Sequence, residues 1–336
     1  MFKNIFTKTS TIITLFLLMF SGCTKKNNDN TVWIYTSLYP ETLSKFEKIF
    51  QEKFPDIQVK WFQNGSENVN AKLAIEEQAG NIKADIIMTA DIFWYRKKAE
   101  QGFFEPHKPT LTFEMPEQFK DAQDRFYTQR VSTMVITYNK KFISDEDAPK
   151  SFAEFADPKW KGKIASGSPL ESGTNFMLVN SLIYRYGYDF LKKLRDNDIM
   201  SAGGNSAVMQ RIVSGERPVG MVILENVLSA KRLNPNIGFL YPSDGAVLIP
   251  GPIAITKSSS NKAAAKKIYD YILTADAQKI SVSEFAHVMH PEAGFPEGTK
   301  PLADILPQAF ELSEKFFDFV KNEEGQFKTK YSDIML

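Results

Sequence analysis

The chain has 336 residues, 41 basic and 40 acidic, with 43% hydrophobic and 24% charged residues and a formal charge of +1. A balance this close to neutral excludes nucleic acid and other polyelectrolytes as partners, and the composition is that of an ordinary globular protein. The length exceeds what one hydrophobic core usually organises, so two lobes or domains are expected.

The N-terminus carries Lys3 and Lys8, an apolar run over 12–20, and then Ser21-Gly22-Cys23. Charged, apolar and small-residue regions in that order read as a signal peptide over 1–22. The apolar run is about half of the roughly 20 residues a membrane-spanning helix requires. Cleavage removes two lysines and no acid, leaving 39 basic against 40 acidic residues. Cys23 is the sole cysteine, so it cannot form an intramolecular disulfide. Its setting resembles the bacterial lipobox, with Phe20 where leucine is usual, and lipidation is the expected role; a stray cysteine near an ordinary cleavage site is the alternative. Residues 23–30 then read as acylated Cys23 plus a polar tether, and diacylation would hold the protein on a lipid membrane.

Strand and helix signals alternate from residue 31. Residues 32–35 read as a buried strand, and Pro40 opens a helix whose apolar face is Leu43, Phe46, Ile49, Phe50 and Phe54. Residues 57–62 alternate as a strand, Ser66 can cap a helix through 79, and 84–90 is again a β-run. Such a βαβαβ order predicts an α/β fold with a mostly parallel sheet flanked by helices. Ligands of such sheets sit beyond the carboxyl ends of the strands. The loops there contain Thr36, Ser37, Ser66 and Asp91. Further along, β-runs over 131–138, 163–166, 218–224 and 247–256 are interspersed with helices over 173–186, 205–213 and 261–273. No tandem repeat is visible.

Ser172-Gly173-Thr174, with Asn175, stands at a helix start, where free N–H groups and the positive end of the dipole suit a phosphate or carboxylate. Simple capping by Ser172 or Thr174 is the alternative. Gly203-Gly204-Asn205-Ser206 repeats the arrangement, with turn chemistry as its alternative. His287 and His290 have i, i+3 spacing without further clustered ligands, so no zinc site and no other metal is expected. Trp94 and Tyr95 follow Asp91 and could face the cleft, though core packing is the simpler role for Trp94.

Six pieces in order carry a family resemblance: Tyr35-Thr36-Ser37, Lys83-Ala84-Asp85-Ile86-Ile87, residues 157–165 (Asp-Pro-Lys-Trp-Lys-Gly-Lys-Ile-Ala), Glu171-Ser172-Gly173-Thr174, residues 214–220 (Ser-Gly-Glu-Arg-Pro-Val-Gly) and residues 250–255 (Pro-Gly-Pro-Ile-Ala-Ile). Over about 31–280 the chain resembles the class II periplasmic-type binding proteins related to ferric-ion, phosphonate and sugar-phosphate receptors. The resemblance implies two α/β lobes, 31–130 with 245–295 and 131–244 with 296–336, joined by hinge strands near 130–137 and 238–247. C-terminal helices over 304–322 would pack across the lobes.

It implies, further, a monomeric lipoprotein that captures a small anionic solute and delivers it to an ABC permease and its ATPase, on the extracytoplasmic side, periplasmic or at the cell surface. No cofactor and no catalysis are implied. In the resembling family the Ser172-Gly173-Thr174 loop holds an anion. Ferric-ion receptors of the family carry adjacent tyrosines near 225–226, whereas this chain has Glu225-Asn226. A glutamate there resembles the sugar-phosphate receptors, in which a carboxylate accepts from sugar hydroxyls; a helix-start glutamate favoured by the dipole is the alternative. A ferric-ion receptor using an anion as co-ligand is the second reading. A lipoprotein hydrolase, from a different class, lacks a Gly-x-Ser-x-Gly elbow or P-loop to support it, and a structural surface antigen would need an empty cleft.

Overall fold

The computed structural model describes residues 30–336; the expected signal segment, Cys23 and nearly all of the tether lie outside them. Among the described residues no helix is long and apolar enough to cross a membrane.

β1 (Thr31–Thr36) is buried along almost its whole length, the pattern of a strand covered on both faces. It pairs in parallel with β2 (Gln58–Gln63) on one side and β3 (Ile86–Met88) on the other. The intervening helices are α1 (Pro40–Lys53) and α2 (Ser66–Gln78). Pro40 starts α1, where its missing N–H is not needed, and Leu43, Phe46 and Phe50 turn inward at helical spacing. α3 (Ile92–Glu100) and the short β4 (Phe104–Glu105) complete the first half.

The chain then enters β5 (Tyr127–Asn139), thirteen residues buried without interruption. The β-run expected over 131–138, with a hinge strand near 130–137, is one longer strand that starts at Tyr127 and has Arg130 well inside it. β5 leads to a second parallel set: β6 (Ile164–Ser166), α4 (Gly173–Tyr186), α5 (Tyr188–Asp196), β7 (Met200–Ser201), α6 (Asn205–Ser214), β8 (Val219–Ile223), α7 (Leu224–Leu233) and β9 (Ile237–Leu240). Leu224 opens α7 instead of closing the strand expected over 218–224. Residues 241–246 lead back to β10 (Val247–Thr256), followed by α8 (Lys262–Ile272), α9 (Ala275–Ser283) and β11 (His287–Val288). His287 is thus a strand residue that bonds the Lys300 carbonyl, and His290 caps a turn; they do not share a helix face.

The sheet runs β2-β1-β3-β10-β5-β8-β6-β7, with β4, β9 and β11 attached to its side. β5 pairs antiparallel with β10 through its first half (Val131↔Pro250) and with β8 and β9 through its second (Met134↔Ile223, Ile136↔Leu240). Two prolines inside a central strand would ordinarily break the ladder. β10 accommodates them with a register shift between Gly251 and Pro252.

Two helices stand where C-terminal helices were expected over 304–322, and together they extend beyond those bounds at both ends. α10 (Leu302–Ile305) stops before Pro307, and α11 (Glu314–Met335) begins afresh with Ser313 Oγ accepting from Phe316 N. α11 packs on both halves: Phe316 and Phe317 meet Phe93 of α3, while Phe327 meets Phe176 of α4 and Tyr331 bonds Ser201 of β7.

Packing between β6 and β8 is tight enough to require glycine. A methyl group at Gly220 would stand 2.3 Å from the Ala165 carbonyl oxygen on the paired strand. Gly220→Ala is expected to cost about 1–3 kcal/mol, read as a lower denaturant midpoint at unchanged slope; wild-type stability would show that β6 moves aside freely.

Candidate functional site

The carboxyl ends of β6, β7 and β8 lie together and launch α4, α6 and α7. The loops after β6 and β7 are stitched by Ser168 N to Gly203 O (2.9 Å) and Gly203 N to Glu171 Oε1 (3.2 Å). No side chain caps the first turn of α4 or α6. Ser172 faces inward instead, its Oγ 3.0 Å from Thr174 Oγ1 and accepting from Asn175 Nδ2 at 3.0 Å. Asn205 Nδ2 donates to Thr174 Oγ1 at 2.8 Å, which draws the two helix starts together. Asn175 is fully buried, yet its Oδ1 has no partner. Gly167 makes its place: a methyl there would lie 2.2 Å from Asn175 Nδ2.

A second polar group adjoins the first. Asn205 Oδ1 accepts from Ile223 N (3.4 Å) at the end of β8, two residues before Glu225. Glu225 is 5% exposed; Ser132 Oγ donates to its Oε1 at 2.5 Å, and Arg130 Nη1 lies 3.5 Å from the same oxygen. Arg130 also donates to Ser132 Oγ at 3.1 Å. Gly251 leaves room for that arginine, since a methyl there would meet Arg130 Cγ at 2.9 Å. Burial pushes the Glu225 carboxyl up, and the Arg130 guanidinium opposes this. Glu225 Oε2 and Arg130 Nε remain buried without a partner in another residue. Ser206 accepts weakly from Asn226, whose Oδ1 accepts from Tyr39 OH at 2.8 Å across the two halves.

The first half contributes the loops after β1, β2 and β3. Thr36 is committed to the backbone, donating to Met88 O and accepting from Leu38 N. Ser37 Oγ is buried and unpartnered. Ser66 accepts from Ala90 N and does not cap its own helix. Asp91 caps α3 by accepting from Trp94 N, and its other oxygen accepts from Asn70. Burial raises Asp91 to about 6, and burial with the nearby Asp91 charge raises Glu67 to about 7.

The structure therefore groups Ser172, Gly173, Thr174, Asn175, Gly204, Asn205, Ser206 and Glu225 on one side, with Ser66 and Asp91 opposite Gly173. Thr36, Ser66 and Asp91 have their polar atoms engaged within the fold. Sequence reasoning missed Arg130, Ser132, Tyr39 and Asn226 as members of the set. The signal for Arg130 was a cation at the very start of a long apolar β-run. Among the described residues no three His, Cys, Asp or Glu side chains are arranged to hold a metal ion. The arrangement supplies free N–H groups at two helix starts, together with a buried donor at Arg130 Nε and a buried acceptor at Glu225 Oε2.

Residues 81–303 match the family described as bacterial extracellular solute-binding protein. A probable ABC transporter periplasmic-binding protein of Sinorhizobium fredii is 24% identical over 255 residues, covering 72% of this chain and 70% of its own. Among solved structures, iron-bound HitA from Pseudomonas aeruginosa superposes with a TM-score of 0.79 at 21% identity, covering 91% of this chain and 99% of HitA. The periplasmic binding protein AfuA from Actinobacillus pleuropneumoniae, with fructose-6-phosphate bound, gives 0.78 at 20% identity, covering 91% and 98%. At that identity the two structures establish the two-lobed fold.

Replacing Arg130 by Met would leave Glu225 buried without its cation, a loss of about 3–5 kcal/mol near neutral pH. Glu225 has a raised folded-state value, so the folded chain holds its proton more firmly than the unfolded chain does. Stability from this group is therefore present at acid pH and lost as pH rises through the ordinary carboxylate range and beyond. The Arg130→Met variant should regain part of its loss on acidification, followed by urea melts across pH; a deficit independent of pH would contradict the pairing.

Proposed function

Because this chain belongs to the bacterial extracellular solute-binding proteins, we propose that it captures a small anionic, hydroxyl-bearing solute, a phosphorylated sugar or related organophosphate, for an ABC importer. The anion sits at the uncapped starts of α4 and α6, over Ser172, Gly173, Thr174, Asn175 and Asn205. The hydroxylated part lies over Arg130, Ser132 and Glu225. The observation that carries this reading is the set of buried, unpartnered polar atoms around the second polar group and in the other half: Arg130 Nε, a donor, Glu225 Oε2, an acceptor, and Ser37 Oγ. Buried groups of this kind cost about 1–3 kcal/mol each unless something satisfies them. A polyol phosphate offers both donors and acceptors to do so.

The chain catalyses no reaction in this account; it binds, closes and hands its cargo to a permease and ATPase, working as a monomer. Acylated Cys23 anchors it outside the cytoplasm, a reading supported by the only cysteine in the chain standing behind small residues and ahead of a polar stretch.

Relatives include an iron uptake protein of Synechocystis, 24% identical over 61% of this chain. Two features weigh against ferric ion as cargo here. The position after β8 holds Glu225-Asn226 in place of paired phenols, and a guanidinium 3.5 Å from the Glu225 carboxylate opposes a trivalent cation electrostatically.

The test is a thermal-shift and calorimetric panel of hexose phosphates, glycerol phosphates, phosphonates, inorganic phosphate and ferric citrate. A ligand at 100 times its dissociation constant stabilises by about 2.7 kcal/mol. Organophosphates alone should shift the melt. Ser172→Asp should abolish that shift, and Glu225→Gln should weaken sugar phosphates more than inorganic phosphate. A response to ferric iron alone, or undiminished affinity in Ser172→Asp, would overturn the assignment.

A further inference from the structure

Gly173 lies in the Ser-Gly-Thr turn at the start of α4, yet its backbone does not demand glycine. It is absent from the positive-φ glycines, and as the first residue of a regular helix it has a conformation any residue adopts. What requires glycine is the other half of the molecule. A methyl group on Gly173 would stand 2.8 Å from the Ala90 carbonyl oxygen, 3.1 Å from Ser66 Cβ and 3.3 Å from Asp91 Cβ. Ala90 and Asp91 belong to the loop between β3 and α3, and Ser66 opens α2.

All three atoms are backbone or Cβ, so no rotamer change can relieve the contact. Ser66 Oγ accepts from Ala90 N and Asp91 caps α3, which holds these atoms rigidly with respect to one another. The loop that meets Gly173 therefore moves only with the first half as a body. The contrast with Gly65 is informative: it too faces the opposite half, but a methyl there would meet Glu171 O at 3.7 Å, an ordinary distance. The nearby Tyr39–Asn226 hydrogen bond (2.8 Å) is a second contact across the halves.

We infer that Gly173 sets the depth of cleft closure: the absent side chain lets the Ala90 carbonyl seat against the start of α4, and any larger residue stops the lobes short. This rests on the receptor reading above and assigns the glycine a role separate from its N–H group, which a Gly173→Ala change leaves in place. Stopping closure short lowers the fraction of the binding-competent state, and apparent affinity falls in proportion.

The experiment places spin labels at exposed Ile75 on α2 and Leu233 on α7, in a Cys23→Ser background, and measures their separation with and without fructose 6-phosphate. Wild type, Gly173→Ala, Gly65→Ala and Tyr39→Phe are compared after circular dichroism confirms folding. Gly173→Ala should give a longer mean separation in the free protein, incomplete shortening with the sugar phosphate, and about tenfold or greater loss of affinity. Gly65→Ala should track wild type, and Tyr39→Phe supplies the distance of a loosened closure without any steric block. Superimposable distances for Gly173→Ala and wild type, free and with probe, overturn the inference. If the sugar phosphate moves no variant, including wild type, the sugar-phosphate assignment fails, and the free-state distances still decide the role of Gly173.

Discussion

A single strand has to serve two half-molecules at once. β5 is buried over thirteen residues, pairing with β10 through one half of its length and with β8 and β9 through the other. Everything else is arranged about that constraint. Because β5 runs antiparallel to β8, Arg130 and Ser132 reach the end of β8, where Glu225 stands in the first turn of α7. Because β10 must lie against β5, Gly251 has to be small enough for the Arg130 side chain to lie over it. The buried pair is thus a consequence of how the two halves share one sheet. An ion pair so placed contributes little net stability against a well-packed apolar alternative. Two atoms of the pair, Arg130 Nε and Glu225 Oε2, are left buried and unpartnered, and the proposed function assigns them to a ligand.

The remainder of the site follows from parallel-strand topology. β6, β7 and β8 end on the same edge, so the helices that follow begin there, and all three start without side-chain caps. Side chains that would ordinarily cap, Ser172 and Thr174, are turned toward each other and toward Asn175 and Asn205. On the opposing side, Asp91 and Ser66 are consumed by the fold, which fixes the loop that meets Gly173. α11 spans both halves, with surface pairs Arg96–Glu314 and Lys321–Glu100 on the first and a partly buried Tyr188–Glu323 hydrogen bond on the second.

Much of this was legible in residue order alone. The periodicity of Leu43, Phe46 and Phe50 marked α1, and the run 247–256 marked β10 despite Pro250 and Pro252, because the apolar signal outweighed the prolines and a bulge absorbed them. The clusters after β6 and β7 were visible as glycine and hydroxyl residues before helices. Other features were not legible. Arg130 stands at the start of the crossing expected near 130–137, and only the sheet register shows that it faces Glu225 across 95 residues of chain. Asp91 and Ser66 read as ligand groups because they follow strands; whether a hydroxyl or carboxylate points to solvent, to a ligand or to its own backbone depends on tertiary geometry. The C-terminal helices were expected over 304–322, but where the first stops before Pro307 and how far the second, capped by Ser313, runs on to Met335 were not legible.

The central claim is that the two helix starts and the Arg130–Ser132–Glu225 group form one ligand site. A crystal structure of the protein with fructose 6-phosphate tests it most directly. The account predicts the phosphate within hydrogen-bond reach of the N–H groups of Gly173, Thr174 and Asn175, with a sugar hydroxyl on Glu225 Oε2. A ligand seated elsewhere, or a ferric ion held at Glu225 with Arg130 displaced, would contradict it.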